Sequence, residues 1–241
     1  MKMLRLPILA AITLLVLTVL AGCAKYPSGA ATTGKQLVVT VKVRGRITPF
    51  DSADPSIRHH YFIAIDNDSD QNTGPWAVTG PPYGGTGWVT SADADDSVGV
   101  TSFIQYDSAN PNGYVYSILP GSNFLNTSSP QLPIRTELLD GGSTLRFTVD
   151  FSQIATTAIP FDQINQLDVN FITTNVLAVD PNAIYEDREW DALGPSGQDY
   201  VTVDTTSDRT YYENNVESHV VTDPDIAIVS WSIEVQTVSS R

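Results

Sequence analysis

The chain has one cysteine, two methionines and three histidines in 241 residues. A lone cysteine, Cys23, excludes an intramolecular disulfide, so any stability that a secreted domain would take from cross-links must come from elsewhere. The histidines offer little for catalysis. His59 and His60 are adjacent, so in a strand they point to opposite faces and cannot jointly hold one metal. His219 stands alone in an acidic, polar stretch, and a zinc enzyme is disfavoured. There is no G-x-S-x-G elbow, no H-E-x-x-H, no glycine-rich phosphate loop and no cysteine nucleophile. Basic residues are also scarce: 13 Lys and Arg against 27 Asp and Glu give a formal net charge of −14. Such a chain repels phosphate backbones, which argues against nucleic acid and leaves cations and neutral ligands as partners.

Long apolar runs are confined to one place. MKMLRLPILAAITLLVLTVLAGC carries Lys2 and Arg5, then an apolar run from Leu6 to Leu20, then small residues before Cys23. This is the pattern of a secretory signal, and the run is shorter than the ~20 residues a spanning helix needs. Leu20-Ala21-Gly22-Cys23 resembles the lipobox of bacterial lipoproteins. The resemblance implies removal of residues 1–22 as a signal peptide and acylation of Cys23, with palmitate-like chains on its thiol and amino group. At ~0.8 kcal/mol per buried methylene, two or three chains hold a protein at a membrane. The expected location is then the cell envelope, anchored by lipid and facing away from the cytoplasm. Residues 23–35, ending AKYPSGAATTGK, are small, polar and punctuated by Gly and Pro, which reads as a flexible tether.

About 205 residues remain, 36–241, enough for one large all-β domain. Helical periodicity is almost absent, and period-2 alternation is widespread. QLVVTVKV sets Leu37, Val39, Val41 and Val43 on one face. HYFIAI is apolar on both faces and reads as a doubly buried strand. VGVTSFIQY, GYVYSIL, TLRFTVDF, QLDVNFITT, DYVTVD and IAIVSWSIEVQT are further strands; the last sets Val229, Trp231, Ile233 and Val235 on one face. Turn signals (DP, NPNG, PG, DGG, DPN) separate the runs. FSQIATTAIPFDQI is the one stretch that can hold a helical turn, and Pro160 limits it. Nine to eleven short strands so arranged predict a two-sheet antiparallel β-sandwich, of jelly-roll or immunoglobulin-like type.

The segment DNDSDQNTG sets Asp66, Asp68 and Asp70 on alternate positions directly after HYFIAI. Carboxylates ~4–7 Å apart repel by about 1–4 kcal/mol per pair near a protein surface, and a divalent cation reverses that sign. Calcium takes six to eight oxygens, and acidic residues at every second position resemble the first half of an EF-hand loop. The match is incomplete: Gln71 stands where the loop glycine belongs and Ala77 where the closing Glu belongs. A strand-end loop completed by a distant carboxylate fits better, with Asp93, Asp95, Asp96, Glu186, Asp187 or Asp191 as donors. The plainer reading is a solvated Asx-turn between two strands.

YFIAIDNDSDQNTGP, followed by VTGPPYGGTGW and TLRFTVDFSQI, resembles the DOMON-like and family 9 carbohydrate-binding-module sandwiches over residues 36–175. The resemblance implies a non-catalytic sandwich, often with structural calcium, that binds sugars or, in some relatives, haem. Haem in those relatives relies on Met and His ligands. Here both methionines, Met1 and Met3, lie in the signal segment, so haem is not expected.

Two further segments carry candidates. Trp76, Tyr83 and Trp88 lie among glycines and prolines, where exposed rings could stack on the apolar faces of sugars. The alternative is that they plug one end of the sandwich. YEDREWDALG gathers Glu186, Asp187, Glu189 and Asp191 around Trp190. It reads as a solvated acidic loop anchored by Trp190 and Leu193, as part of a ligand cleft that adds Trp190 to the aromatic set, or as the paired acids of a glycoside hydrolase. The sequence therefore predicts an anchored, calcium-stabilised module binding extracellular carbohydrate. A lipoprotein that engages envelope proteins is the alternative, and a hydrolase using acids of 185–191 the second.

Overall fold

Each of the alternating runs becomes a strand. The computed structural model describes residues 34–50, 57–68, 74–77, 99–118, 127–177, 188–217 and 220–238, all within one unit, Ala31–Arg241. The strands are β1 (Lys35–Val43), β2 (His60–Asp66), β3 (Ser102–Tyr106), β4 (Tyr114–Ser117), β5 (Arg135–Leu139), β6 (Thr144–Asp150), β7 (Gln166–Thr174), β8 (Trp190–Ala192), β9 (Val201–Asp204), β10 (Arg209–Asn214) and β11 (Ile228–Thr237). One sheet has the order β10-β11-β1-β6-β5. The other has the order β4-β3-β2-β7-β8, with β9 also paired to β7. Every pairing is antiparallel, and the two sheets pack as the predicted sandwich. Among the described residues no helix is long and apolar enough to cross a membrane.

The inter-sheet core follows from the alternation. Leu37, Val39, Val41 and Val43 of β1 meet Tyr61, Ile63 and Ile65 of β2 and Phe147 of β6, all buried. Each such side chain stabilises the fold by roughly 1.5–3 kcal/mol on full burial. The opposite face of β2 is covered too. Phe62 and Ala64 join Phe103, Ile172, Ala77 and Trp190 in a second buried cluster. Every residue of β2 is therefore buried, as its two-sided apolar sequence implies.

In β11 the structure departs from strict alternation. Val43 pairs with Ile228 while Lys42 pairs with Ser230, so Val229 is a bulged residue. Its carbonyl accepts from both Asn215 N (3.0 Å) and Val216 N (3.2 Å). The bulge sends Ile228 into the core and leaves Val229 half-buried; the predicted inward Val229 is corrected for that reason. A short α-helical turn, α1 (Phe151–Ile154), is closed by a capping box in which Asp150 accepts from Ser152 N and Gln153 accepts from Asp150 N.

Candidate functional site

The end of β2 gathers carboxylates from two strands. Asp66 and Asp168 are register partners across β2 and β7, and Asp168 faces Thr202 of β9 on its other side. Both aspartates are buried, at 1 % and 4 % exposure. Asp66 Oδ1 accepts from Asp68 N at 3.1 Å, an Asx-turn that ends the strand and folds the half-buried Asp68 back over it. Thr202 Oγ1 donates to Asp168 Oδ1 at 2.6 Å.

Burial first, and neighbouring charge second, act on the ionisable groups of the site. Burial raises the Asp168 carboxyl above the ordinary range; the Thr202 hydrogen bond opposes this, and the charge of Asp68 adds to it. The Tyr200 phenol is likewise raised, by burial first and then by the charges of Asp168 and Asp66. Tyr200 directly precedes β9, and its ring lies against Gly74 so closely that any β-carbon there would collide.

The donor chemistry suits a hard cation, since Asp66, Asp68, Asp168 and Thr202 offer only oxygen. The number is short. Among the described residues no three His, Cys, Asp or Glu side chains converge to hold an ion, so a site here requires donors beyond them. Asp70 lies outside the described residues, as do Cys23, Tyr83, Trp88, Asp93, Asp95, Asp96, Glu186, Asp187 and His219.

Trp76 is half-buried. Its short segment is held by Ala77 N donating to Gly197 O (3.0 Å) and by the buried Asn170, whose Nδ2 donates to Pro75 O (2.9 Å). Trp190 is different. It is 7 % exposed, it belongs to the second apolar cluster, and its ring lies against Gly197. An anchor in that position has no open face for a sugar.

The acids of 185–191 that the structure describes bind backbone. Glu189 Oε2 accepts from Thr222 N (3.0 Å) and Asp223 N (2.8 Å). Asp191, fully buried, accepts from Ala192 N (2.9 Å) and from Ile228 N (2.7 Å) at the bulge. These two acids hold the 220s segment and β11 to the second sheet, so at positions 189 and 191 the expectation of solvated acids gives way to hydrogen-bonded ones, Asp191 buried and Glu189 half-buried.

The adjacent histidines do face opposite ways, and each meets an aspartate. His59 Nε2 lies 2.9 Å from Asp223 Oδ2, and its Nδ1 is 3.1 Å from Thr48 O. His60 Nδ1 lies 2.8 Å from Asp107 Oδ2. Both rings are buried. Sequence reasoning passed over Asp168, Asp107 and Tyr200. For Asp168 a signal existed: QLDVNF sets one carboxylate in a run otherwise fit for the core. Asp107 and Tyr200 lie at strand margins where nothing local marks them.

No family model matches the chain, and no curated protein or solved structure is detectably similar to it.

Proposed function

We propose that this chain is an envelope lipoprotein whose sandwich binds extracellular carbohydrate without catalysing a reaction, stabilised by calcium at the end of β2. The observation that carries the reading is the pairing of buried Asp66 and Asp168 across β2 and β7, with half-buried Asp68 beside them and the Asp168 carboxyl raised by burial and by the Asp68 charge. Carboxylates so placed cost stability unless positive charge joins them. Calcium supplies that charge, and Asp66, Asp68 and Asp70 are the residues that would hold it. The half-buried Trp76, with Tyr83 and Trp88, supplies rings for sugar C–H faces. The resemblance of YFIAIDNDSDQNTGP to DOMON-like and family 9 modules supports the ligand class. Leu20-Ala21-Gly22-Cys23 supports acylation at Cys23 and attachment to a membrane.

The test uses the full chain in mild detergent, melted with calcium and with chelator and then probed on a glycan array in both buffers. A ligand that binds only the folded state raises its melting temperature. The expected result is a higher melting temperature with calcium and glycan binding that chelation abolishes. An unchanged melting temperature removes calcium from the reading. No glycan binding in either buffer replaces it with the protein-interaction alternative.

A further inference from the structure

The solvent face of the first sheet carries a second, chemically distinct groove. Register pairing places Tyr212, Ser232, Thr40, Arg146 and Glu137 in one row across β10, β11, β1, β6 and β5. On β1 the inward residues are buried and Thr40 and Lys42 point the other way. Tyr212, Ser232, Thr40 and Arg146 of that row line a groove of about 350 Å³, flanked by Lys42 and Asp140. At one end Tyr212 is 69 % exposed, an aromatic ring standing open on a sheet surface.

The groove lining carries two cations, Lys42 and Arg146, against one carboxylate, Asp140. Lys42 Nζ lies 3.5 Å from Asp140 Oδ2, and both remain substantially exposed. Arg146 forms no ion pair among the described residues; its Nε donates to Thr40 Oγ1 at 3.4 Å. Glu137, beside it in the row, is taken by Arg135 at 2.7 Å. The Arg146 guanidinium therefore keeps its remaining donors for a ligand, and its planar fork matches a carboxylate. In a chain of net charge −14, cations held in the middle of a sheet face stand against the general field, which repels a free polyanion unless local contacts select it.

We propose that this groove binds an acidic polysaccharide. A pyranose ring stacks on Tyr212, the Thr40 and Ser232 hydroxyls meet sugar hydroxyls, and a uronate carboxylate two to three residues along the glycan reaches Arg146. A row of side chains across five strands, about 4.8 Å apart, spans about 19 Å, the length of a short oligosaccharide. The proposal shares only its ligand class with the strand-end reading and places the contact on a different sheet.

The experiment is affinity electrophoresis of the full chain in mild detergent through gels containing polygalacturonate, a neutral glucan or polyglutamate. Wild type, Arg146→Gln, Tyr212→Ala and Trp76→Ala are compared, each with calcium and with chelator. Retardation by polygalacturonate alone is expected. It should weaken about tenfold in either groove variant, about 1.4 kcal/mol, and survive both Trp76→Ala and chelation. Polygalacturonate binding that both groove variants retain, and that Trp76→Ala or chelation abolishes, overturns the groove and keeps the strand-end reading. Equal retardation by polyglutamate overturns sugar recognition, and retardation by no polysaccharide overturns both. Far-UV circular dichroism of the two groove variants should match wild type, because both side chains stand outside the core.

Discussion

His60 Nδ1 and Asp107 Oδ2 lie 2.8 Å apart in a buried pair, 47 residues apart in sequence. Asp107 also accepts from Gln105 Nε2 (2.6 Å), Asn110 Nδ2 (2.9 Å) and the backbone amides of Ala109 and Asn110 (2.9 Å each). Burial alone would raise this carboxyl; the hydrogen bonds from His60, Gln105 and Asn110 overcome that and hold it well below the ordinary range.

Asp107→Ala should therefore cost about 3 kcal/mol of unfolding free energy at pH 7, read by urea denaturation, because it leaves buried donors without an acceptor. The pH dependence has a definite sign. A depressed folded value means the contribution is complete above the ordinary carboxylate range and is lost as pH falls through the folded value. The gap between wild type and variant should narrow toward strong acid. A variant within 0.5 kcal/mol of wild type, by the usual scatter of surface changes of about that size, would show the network to be ornamental.

Asp168→Asn tests the opposite case. Its folded value is raised, so the folded state binds a proton more tightly than the unfolded chain does. Stability linked to that proton is present below the unfolded value and is lost as pH rises through the folded one. In chelator at pH 7 the amide should raise the melting temperature, and near pH 3 it should change little. With calcium present the advantage should shrink or reverse. A lower melting temperature in chelator at pH 7 would show that the carboxylate is not strained there.

Asp191→Ala removes the acceptor of Ile228 N and Ala192 N inside the protein. Two buried amides lose their partner, for a cost of about 2–4 kcal/mol at 1–2 kcal/mol each. Faster amide exchange at Ile228 by hydrogen–deuterium exchange would locate the loss at the bulge. If exchange there is unaltered, Asp191 is not what fixes β11 to the second sheet.

Gly197→Ala should be among the more damaging single-methyl changes. Gly197 sits at φ +70°, and an added β-carbon meets the Trp190 ring. A strained left-handed conformation and an overpacked ring each cost about 1–3 kcal/mol. Intrinsic Trp fluorescence during unfolding reads the result, and an unshifted midpoint would contradict the packing described for Trp190.

The sequence reveals the strands that bury a face, and for a physical reason. Leu37 to Val43 and Tyr61 to Ile65 alternate because each second side chain must leave water. β5 and β10 are edge strands with exposed or half-exposed residues throughout, so RTELL and RTYYEN have no core to impose a period. β8 is three residues long, too short for any period to show. The strand-end site is half legible. Asp66 and Asp68 announce themselves by spacing, whereas Asp168 becomes their neighbour only through a pairing about 100 residues distant. The histidines show the same limit: their opposite facing is local geometry, but Asp107 and Asp223 are supplied by the fold.

The pairing of β1 with β11, Lys35 opposite Thr237, bears on how the molecule comes into being. β1 lies at the centre of its sheet, yet one of its two neighbours, β11, is the last in sequence among the described strands. Synthesis delivers β1 nearly two hundred residues before that neighbour exists. Until then an apolar strand has one bare edge, the condition that invites mispairing. Contacts so distant in sequence also slow the search for the native state. Loss of β11 would therefore open the middle of the sheet rather than trim its margin.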